Sequence, residues 1–149
     1  MTKKTLLFLL AALMTTSFIS CDKDDANWGI VPDSVRTAFE AKYPNAKRVE
    51  WENKGNYKVA DFYQDNMETE AWFESDGTWY MTETDIPYNL LPQTIKTSFE
   101  ESEYTTWRID DVDKIEKNGS ETIYIIEVEK NNLDIDLYYN GEGTLIKTI

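Results

Sequence analysis

Apolar residues along this chain follow two periods, and the change from one to the other happens twice. Val35, Ala38, Phe39 and Tyr43 fall on one face at helical spacing, and Pro44-Asn45 ends the run. Pro32 opens that helix at its first turn, where a missing N–H costs nothing. From Lys47 the period becomes two, broken by turn dipeptides at Lys54-Gly55, Asp65-Asn66 and Asp76-Gly77, which predicts four antiparallel strands after one helix. Pro92 starts the order again. Ile95, Ser98 and Phe99 point inward from a second helix, and strands follow over 107–117, 121–130, 133–140 and 144–149, divided by Asn118-Gly119, Asn131-Asn132 and Gly141-Glu142-Gly143. Proline, a β-branched residue three on, then Thr and Phe-Glu recur between the segments 32–40 and 92–100, and Gly77-Thr78 and Gly143-Thr144 close the two copies. The pattern predicts an α+β domain of two tandem repeats, 31–86 and 87–149, each one helix followed by a four-stranded antiparallel sheet.

Two-residue loops set a register. Around Asp65-Asn66, Phe62 faces Thr69, Ala60 faces Ala71 and Val59 faces Trp72; around Asp76-Gly77, Phe73 faces Tyr80, Trp72 faces Met81 and Glu74 faces Trp79. One face then carries Ala60, Phe62, Ala71, Phe73 and Tyr80, where the two alanines give a helix room to lie close. The other carries Tyr57, Val59, Trp72, Trp79 and Met81. Both are apolar, which a half-solvated sheet should not be. In the second copy Tyr124, Ile126, Val128, Leu133, Ile135, Leu137, Tyr139 and Ile146 point one way, and Glu127, Glu129, Asp134, Asp136, Tyr138 and Lys147 the other. Asn118-Gly119-Ser120 is formally a glycosylation sequon and reads first as a type I′ hairpin turn.

The N-terminus changes the picture from a free domain to an anchored one. Lys3 and Lys4, an apolar run from Leu6 to Met14 and small or polar residues before Cys21 make a signal peptide over 1–20, too short to span a bilayer. Phe18-Ile19-Ser20-Cys21 resembles a bacterial lipobox, with Phe18 in place of the usual Leu. Cys21 is then the lipidated N-terminus, residues 21–30 a tether, and the expected address the outer membrane, periplasmic or surface-exposed. Trp28-Gly29-Ile30 reads as a hydrophobic staple onto the first core. Removing 1–20 takes away two lysines and no acid, so the net charge goes from −13 to −15. Nucleic acid and anionic lipid are poor partners for such a chain. Cationic proteins or peptides suit it better.

There is no histidine, and Cys21 is the one cysteine. That inventory excludes His-based triads, thiolate catalysis, His metal sites and thiol redox chemistry. No cofactor, metal site or catalytic residue is expected, and the chain reads as a non-enzyme.

The lipoprotein signal, the two helix-plus-four-strand copies and Trp72-Phe73-Glu74-Ser75-Asp76-Gly77 near the end of the first copy resemble the PepSY-like family of secreted bacterial proteins. The second copy has Tyr138-Tyr139-Asn140-Gly141-Glu142-Gly143 at that place. The resemblance implies a fold similar to the β-lactamase-inhibitor protein and a binding or inhibitory module.

Two surfaces are candidates. Tyr57, Val59, Trp72, Trp79 and Met81 form either a recognition surface for a protein or peptide, rich in the rigid aromatics that dominate interface hot spots, or a face covered by the other repeat or by a second copy in a homodimer. The register also sets Glu127 opposite Asp136 and Glu129 opposite Asp134, and like charges directly opposite destabilise a sheet. A basic partner or Ca²⁺ would relieve the repulsion; splayed, solvated side chains are the alternative.

Overall fold

The computed structural model describes residues 31–149. The expected signal peptide, Cys21, the 21–30 tether and the Trp28-Gly29-Ile30 staple lie outside them. Helix α1 (Asp33–Lys42) leads into β1 (Lys47–Lys54), β2 (Tyr57–Gln64), β3 (Met67–Phe73) and β4 (Trp79–Asp85). A 3₁₀ turn at Tyr88–Leu90 then leads into α2 (Gln93–Glu100), followed by β5 (Arg108–Lys117), β6 (Ile123–Lys130), β7 (Leu133–Asn140) and β8 (Leu145–Thr148). The strands pair in chain order and every pair is antiparallel. The β4–β5 ladder joins the two expected four-stranded units into one eight-stranded sheet.

Both helices lie on one side of the sheet, each over its own half. Pro32 and Pro92 sit one position outside the helices, as N-caps, and their carbonyls accept the first helical bonds from Arg36 and Lys96 at 3.1 and 3.2 Å. Val35 and Phe39 of α1, and Ile95 and Phe99 of α2, are the residues that bury. The first core joins Val35 and Phe39 to Ala60, Phe62, Ala71 and Phe73, with Trp51 and Tyr43 at its margin. Phe39 meets Phe62 edge-on, ring centroids 5.0 Å apart, an arrangement that suits the ring quadrupoles. The second core joins Ile95 and Phe99 to Val112, Ile126, Val128, Leu137 and Tyr139.

The two registers align the cores position by position. Ala60 and Ala71 pair in the first, Ile126 and Leu137 in the second. Small residues at the centre of the first core leave room for the aromatic rings around them, whereas the second fills its centre with branched aliphatics. The same space is filled by a different distribution of volume, which cores tolerate well.

Asp65-Asn66 and Asn131-Asn132 all have left-handed φ, from 53 to 65°, as two-residue hairpin loops require. The expected pairs Phe62 with Thr69, Ala60 with Ala71 and Val59 with Trp72 all form. Asn118-Gly119 does not make such a loop. Strand β5 runs on beside β4 as far as Lys117, the Asn118 N–H donates to the Tyr80 carbonyl at 3.0 Å, and the chain returns only at Ile123.

The Asp76-Gly77 loop also departs from two residues, for a reason that recurs in both copies. Glu74 N–H donates to the Thr78 carbonyl and Gly77 N–H to the Glu74 carbonyl, at 2.8 and 3.0 Å; Asn140, Gly143 and Thr144 make the same two bonds at 3.1 and 3.0 Å. Each turn is pressed onto the first turn of its helix. Ser34 Oγ donates to the Ser75 carbonyl and Thr94 Oγ1 to the Gly141 carbonyl, both at 3.1 Å. A Cβ on Gly77 would stand 2.7 Å from the Ser34 carbonyl oxygen, and one on Gly143 2.7 Å from that of Thr94. Both glycines also have positive φ, 94° and 86°. The wider turn leaves an extra residue in the following strand, and a β-bulge absorbs it, between Trp72 and Phe73 in β3–β4 and between Tyr138 and Tyr139 in β7–β8. Trp72 still pairs with Met81 as expected, but Phe73 pairs with Trp79 in place of Tyr80.

Gly77→Ala and Gly143→Ala should each cost about 2–4 kcal/mol, from left-handed strain plus contact with helix backbone. Denaturant melts of the two variants test this; a loss below about 1 kcal/mol would mean the turn does not bear on the helix.

Candidate functional site

The sheet face away from the helices carries no covering element among the described residues, and the register maps it in rows. Glu52, Val59, Trp72, Met81 and Lys117 are successive cross-strand neighbours, and Glu50, Asp61, Glu70, Glu83, Ile115 and Ile123 form the next row. Beyond them run Asp85, Asp113, Ile125, Tyr138 and Lys147, then Asp111, Glu127 and Asp136. The face therefore has an aromatic corner and a belt of carboxylates crossing it.

The aromatic corner differs from the surface expected at Tyr57, Val59, Trp72, Trp79 and Met81. Trp79 is on the helix side: its ring packs against the first core, its Nε1–H donates to Thr82 Oγ1 at 2.9 Å, and Lys42 of α1 stands 3.8 Å from the ring centre. Tyr80, expected on the helix side, takes the open-face position instead and stacks on Tyr57 at 4.6 Å, while Tyr57 meets Trp72 edge-on at 5.8 Å. The bulge exchanges the two residues. Val59 is wholly buried beneath this group and touches no solvent. Tyr57, Trp72 and Met81 remain half-buried on the face.

Two lysines frame the corner. Lys54 Nζ lies 5.2 Å from the Trp72 ring centre and 2.9 and 2.8 Å from Glu70 and Glu52; Lys117 Nζ lies 4.5 Å from the Tyr80 ring centre. Cation–π contact of this kind holds a ring in place without covering it. The Lys117 ammonium also bonds to the Tyr80 hydroxyl and draws its pKa below the ordinary phenol value.

Across the seam, Asp85 stands directly opposite Asp113. Burial pushes the Asp113 carboxyl up to about 7, and Glu83, Asp111, Asp85 and Glu127 add to the effect. Burial likewise raises Glu83, with Glu70 adding, and Asp61, with Glu68, Glu70 and Glu50 adding. A shallow hollow of about 140 Å³ lies among Glu68, Glu70, Glu83, Asp85 and Asp113.

Glu127 and Asp136, and Glu129 and Asp134, stand opposite each other as expected. Glu127 is raised by burial and then by Asp136, whereas Glu129 accepts from the Arg108 guanidinium. Among the described residues no group of three or more acidic side chains is placed to hold a metal ion, so the Ca²⁺ alternative gains no support from geometry. The wider belt through Glu83, Asp85 and Asp113 was not anticipated, because its pairing across β4–β5 joins strands separated by a helix.

On the helix side a trough of about 490 Å³ lies between the two halves, floored by Thr69, Thr82 and Thr84. Thr82 is engaged by Trp79 and by the Tyr43 hydroxyl, whose pKa burial pushes up to about 12. The Thr82 hydroxyl is thus occupied in holding the fold, while Gln64, which also lines the trough, has its Oε1 buried without a hydrogen-bond partner.

The molecule is thus an open antiparallel sheet backed by two helices, with an aromatic corner beside a charged belt on the face that no described element covers. The chain belongs to the PepSY-like family, described as "Putative beta-lactamase-inhibitor-like, PepSY-like", which matches residues 17–61 and 55–147. It is similar to a BLIP-like protein from Bacteroides fragilis, with 36% identity over 80% of this chain and 85% of that one and a TM-score of 0.76. A DUF2874 family protein from Bacteroides ovatus shows 30% identity over 80% and 86%, TM-score 0.75. A protein from Bacteroides eggerthii described among "putative periplasmic proteins" shows 27% identity over 81% and 89%, TM-score 0.76. No curated protein matches the chain. No helix among the described residues is long and apolar enough to cross a membrane.

Asp113 binds its proton more tightly folded than unfolded, so the folded chain holds more protons between about pH 4 and 7 and stability falls as pH rises through that window. Asp113→Asn should therefore stabilise the domain by about 1–2 kcal/mol at pH 8, after discounting for solvent screening, and by nothing near pH 4. Parallel denaturant melts at the two pH values check this; an equal effect at both would remove the carboxylate belt as its cause.

Proposed function

We propose that this chain is a non-catalytic lipoprotein of the bacterial outer membrane, anchored through Cys21, that receives a basic protein or peptide on the open face of its sheet. Inhibition follows where the partner is an enzyme whose working surface is the part received. The observation that carries this reading is the juxtaposition on one uncovered face of Tyr57, Trp72, Tyr80 and Met81 with the belt through Glu70, Glu83, Asp85 and Asp113. An aromatic corner supplies contact area at low entropic cost, and the belt selects partners by charge and speeds encounter. The carboxyls raised by burial are the ones a Lys or Arg side chain would stabilise in the charged form. The likeness to a BLIP-like protein supports a binding role of the same kind without naming the partner.

The test is affinity capture from envelope extracts of a bacterium carrying the chain, using residues 22–149 as bait. Wild-type bait should retain a basic protein that is lost with Trp72→Ala/Tyr80→Ala, lost with Glu83→Lys/Asp113→Lys, and kept with Trp79→Phe on the helix side. Loss should amount to at least about a tenfold weaker Kd, the usual consequence of removing a hot-spot aromatic. A retained protein indifferent to both open-face pairs would sink the proposal.

A further inference from the structure

We propose that the trough between the two halves, on the helix side, binds the C-terminal end of a short apolar peptide, with the free carboxylate held by Lys42 and Lys114. This site stands apart from the open face, since its floor is the opposite side of the same strands. The register shows where it comes from. Thr69, Thr84, Lys114 and Tyr124 are successive cross-strand neighbours across the seam between the repeats, and Thr82 stands opposite Glu116 two residues along. The first core centres on β2 and β3 and the second on β5 to β7. The space left between them is about 490 Å³, within the range of small-ligand sites.

The trough has two unlike ends. At one, Lys42 in the last turn of α1 has its Nζ 3.8 Å from the Trp79 ring centre, and Lys114 Nζ lies 3.0 Å from Glu116. A ring face takes none of an ammonium's hydrogen bonds and one carboxylate oxygen takes a single one, so both lysines keep donors for an incoming anion. Glu116 offsets one of the two charges, which leaves this end cationic in a chain whose net charge is −13. The shallow hollow on the open face, by contrast, is lined by five acids and no base. At the other end Met67, two residues beyond Thr69, joins Ile86 and the 56% exposed Leu90 in an apolar wall. Four residues of strand separate this end from Thr82, about 14 Å, the reach of about three to four residues of extended peptide.

Gln64 distinguishes a peptide from a simple fatty acid. It closes the β2–β3 hairpin opposite Met67, lines the same end of the trough, and has its Oε1 buried with no hydrogen-bond partner. A buried acceptor without a donor costs the fold stability, and few are left so in a native structure without a reason. A fatty acid brings a carboxylate and an apolar chain, and leaves Gln64 as it is. A peptide end brings the carboxylate, apolar side chains and, further back, the backbone N–H that Gln64 lacks.

Calorimetric titration of residues 22–149 with N-acetyl-leucyl-alanyl-leucine, its C-terminal amide and octanoate tests the site. The acid peptide should bind with a Kd of about 100 µM or tighter, and the amide and octanoate at least about tenfold more weakly. Lys114→Met and Gln64→Leu should each weaken the acid peptide at least about tenfold, while Lys130→Met, outside the trough, leaves it unchanged. Gln64→Leu should also raise the denaturant midpoint of the ligand-free chain, a gain in stability with a loss of affinity that damage to the fold would not produce. Circular dichroism confirms that each variant is folded. Should a variant not fold, the three ligands on the wild-type chain decide: the acid peptide ahead of both others supports the site, and equal binding of the amide or of octanoate overturns it. An acid peptide that does not bind at about 1 mM, an affinity unchanged in either folded trough variant, or an equal loss with Lys130→Met also overturns it.

Discussion

A backbone with no side chain pressed against the first turn of a helix is the contact on which the rest of this molecule depends. Gly77 against Ser34 and Gly143 against Thr94 are the places where each helix is fastened to the far end of its own sheet unit. The requirement for close approach opens the turn beyond a minimal hairpin, and the wider turn displaces the next strand by one residue. The bulge that follows sends Trp79 under α1 and Tyr80 to the open side. A steric condition at one glycine thus decides which aromatic side chains lie on the open face and which hold a helix. It operates twice, with different residues around it.

The open face is best understood as two chemistries held apart. At the aromatic corner, Val59 is buried by its own neighbours, so Tyr57, Trp72 and Tyr80 form a preformed rigid group that loses little freedom on contact. Along the belt, carboxylates from β1 through β7 are brought together by pairing in strict chain order, at a cost that Lys54 and Arg108 offset only locally. Such a belt works against the isolated fold, an opposition that the proposed binding of a basic partner would relieve.

Much of the architecture was legible in the sequence. Helical spacing around Phe39 and Phe99, the two left-handed Asx-containing loops and the alanine pair at 60 and 71 each led to the right element, register or packing contact, because each depends on residues close together in the chain. The site was legible only in part. Trp72, Met81 and Tyr57 were placed on the open face correctly, but alternation assumes an unbroken ladder, and a turn widened by contact with a residue about forty positions away in sequence breaks it. Trp79 and Tyr80 were consequently exchanged. The Asp85–Asp113 opposition could not be read for a related reason: local turns fix pairing within a hairpin, and no hairpin joins β4 to β5. Ile146, expected to point the same way as Leu137 and Tyr139, is displaced by the second bulge, which sets Leu145 opposite Tyr139, and both Leu133 and Ile146 stay half exposed.

Pairing in strict chain order also governs how the chain comes together. Within each repeat a strand finds its partner immediately before it, so the meander grows by short loop closures, the least costly kind in entropy and the fastest in rate, and only the β4–β5 pairing closes across a helix. The helix is the exception. Its anchoring bonds to the turns span 41 residues in the first copy and 47 in the second, so they form only once the turn at Gly77, or at Gly143, is in place. A chain interrupted before residue 143 would carry one finished unit and one whose helix lacks its anchoring turn.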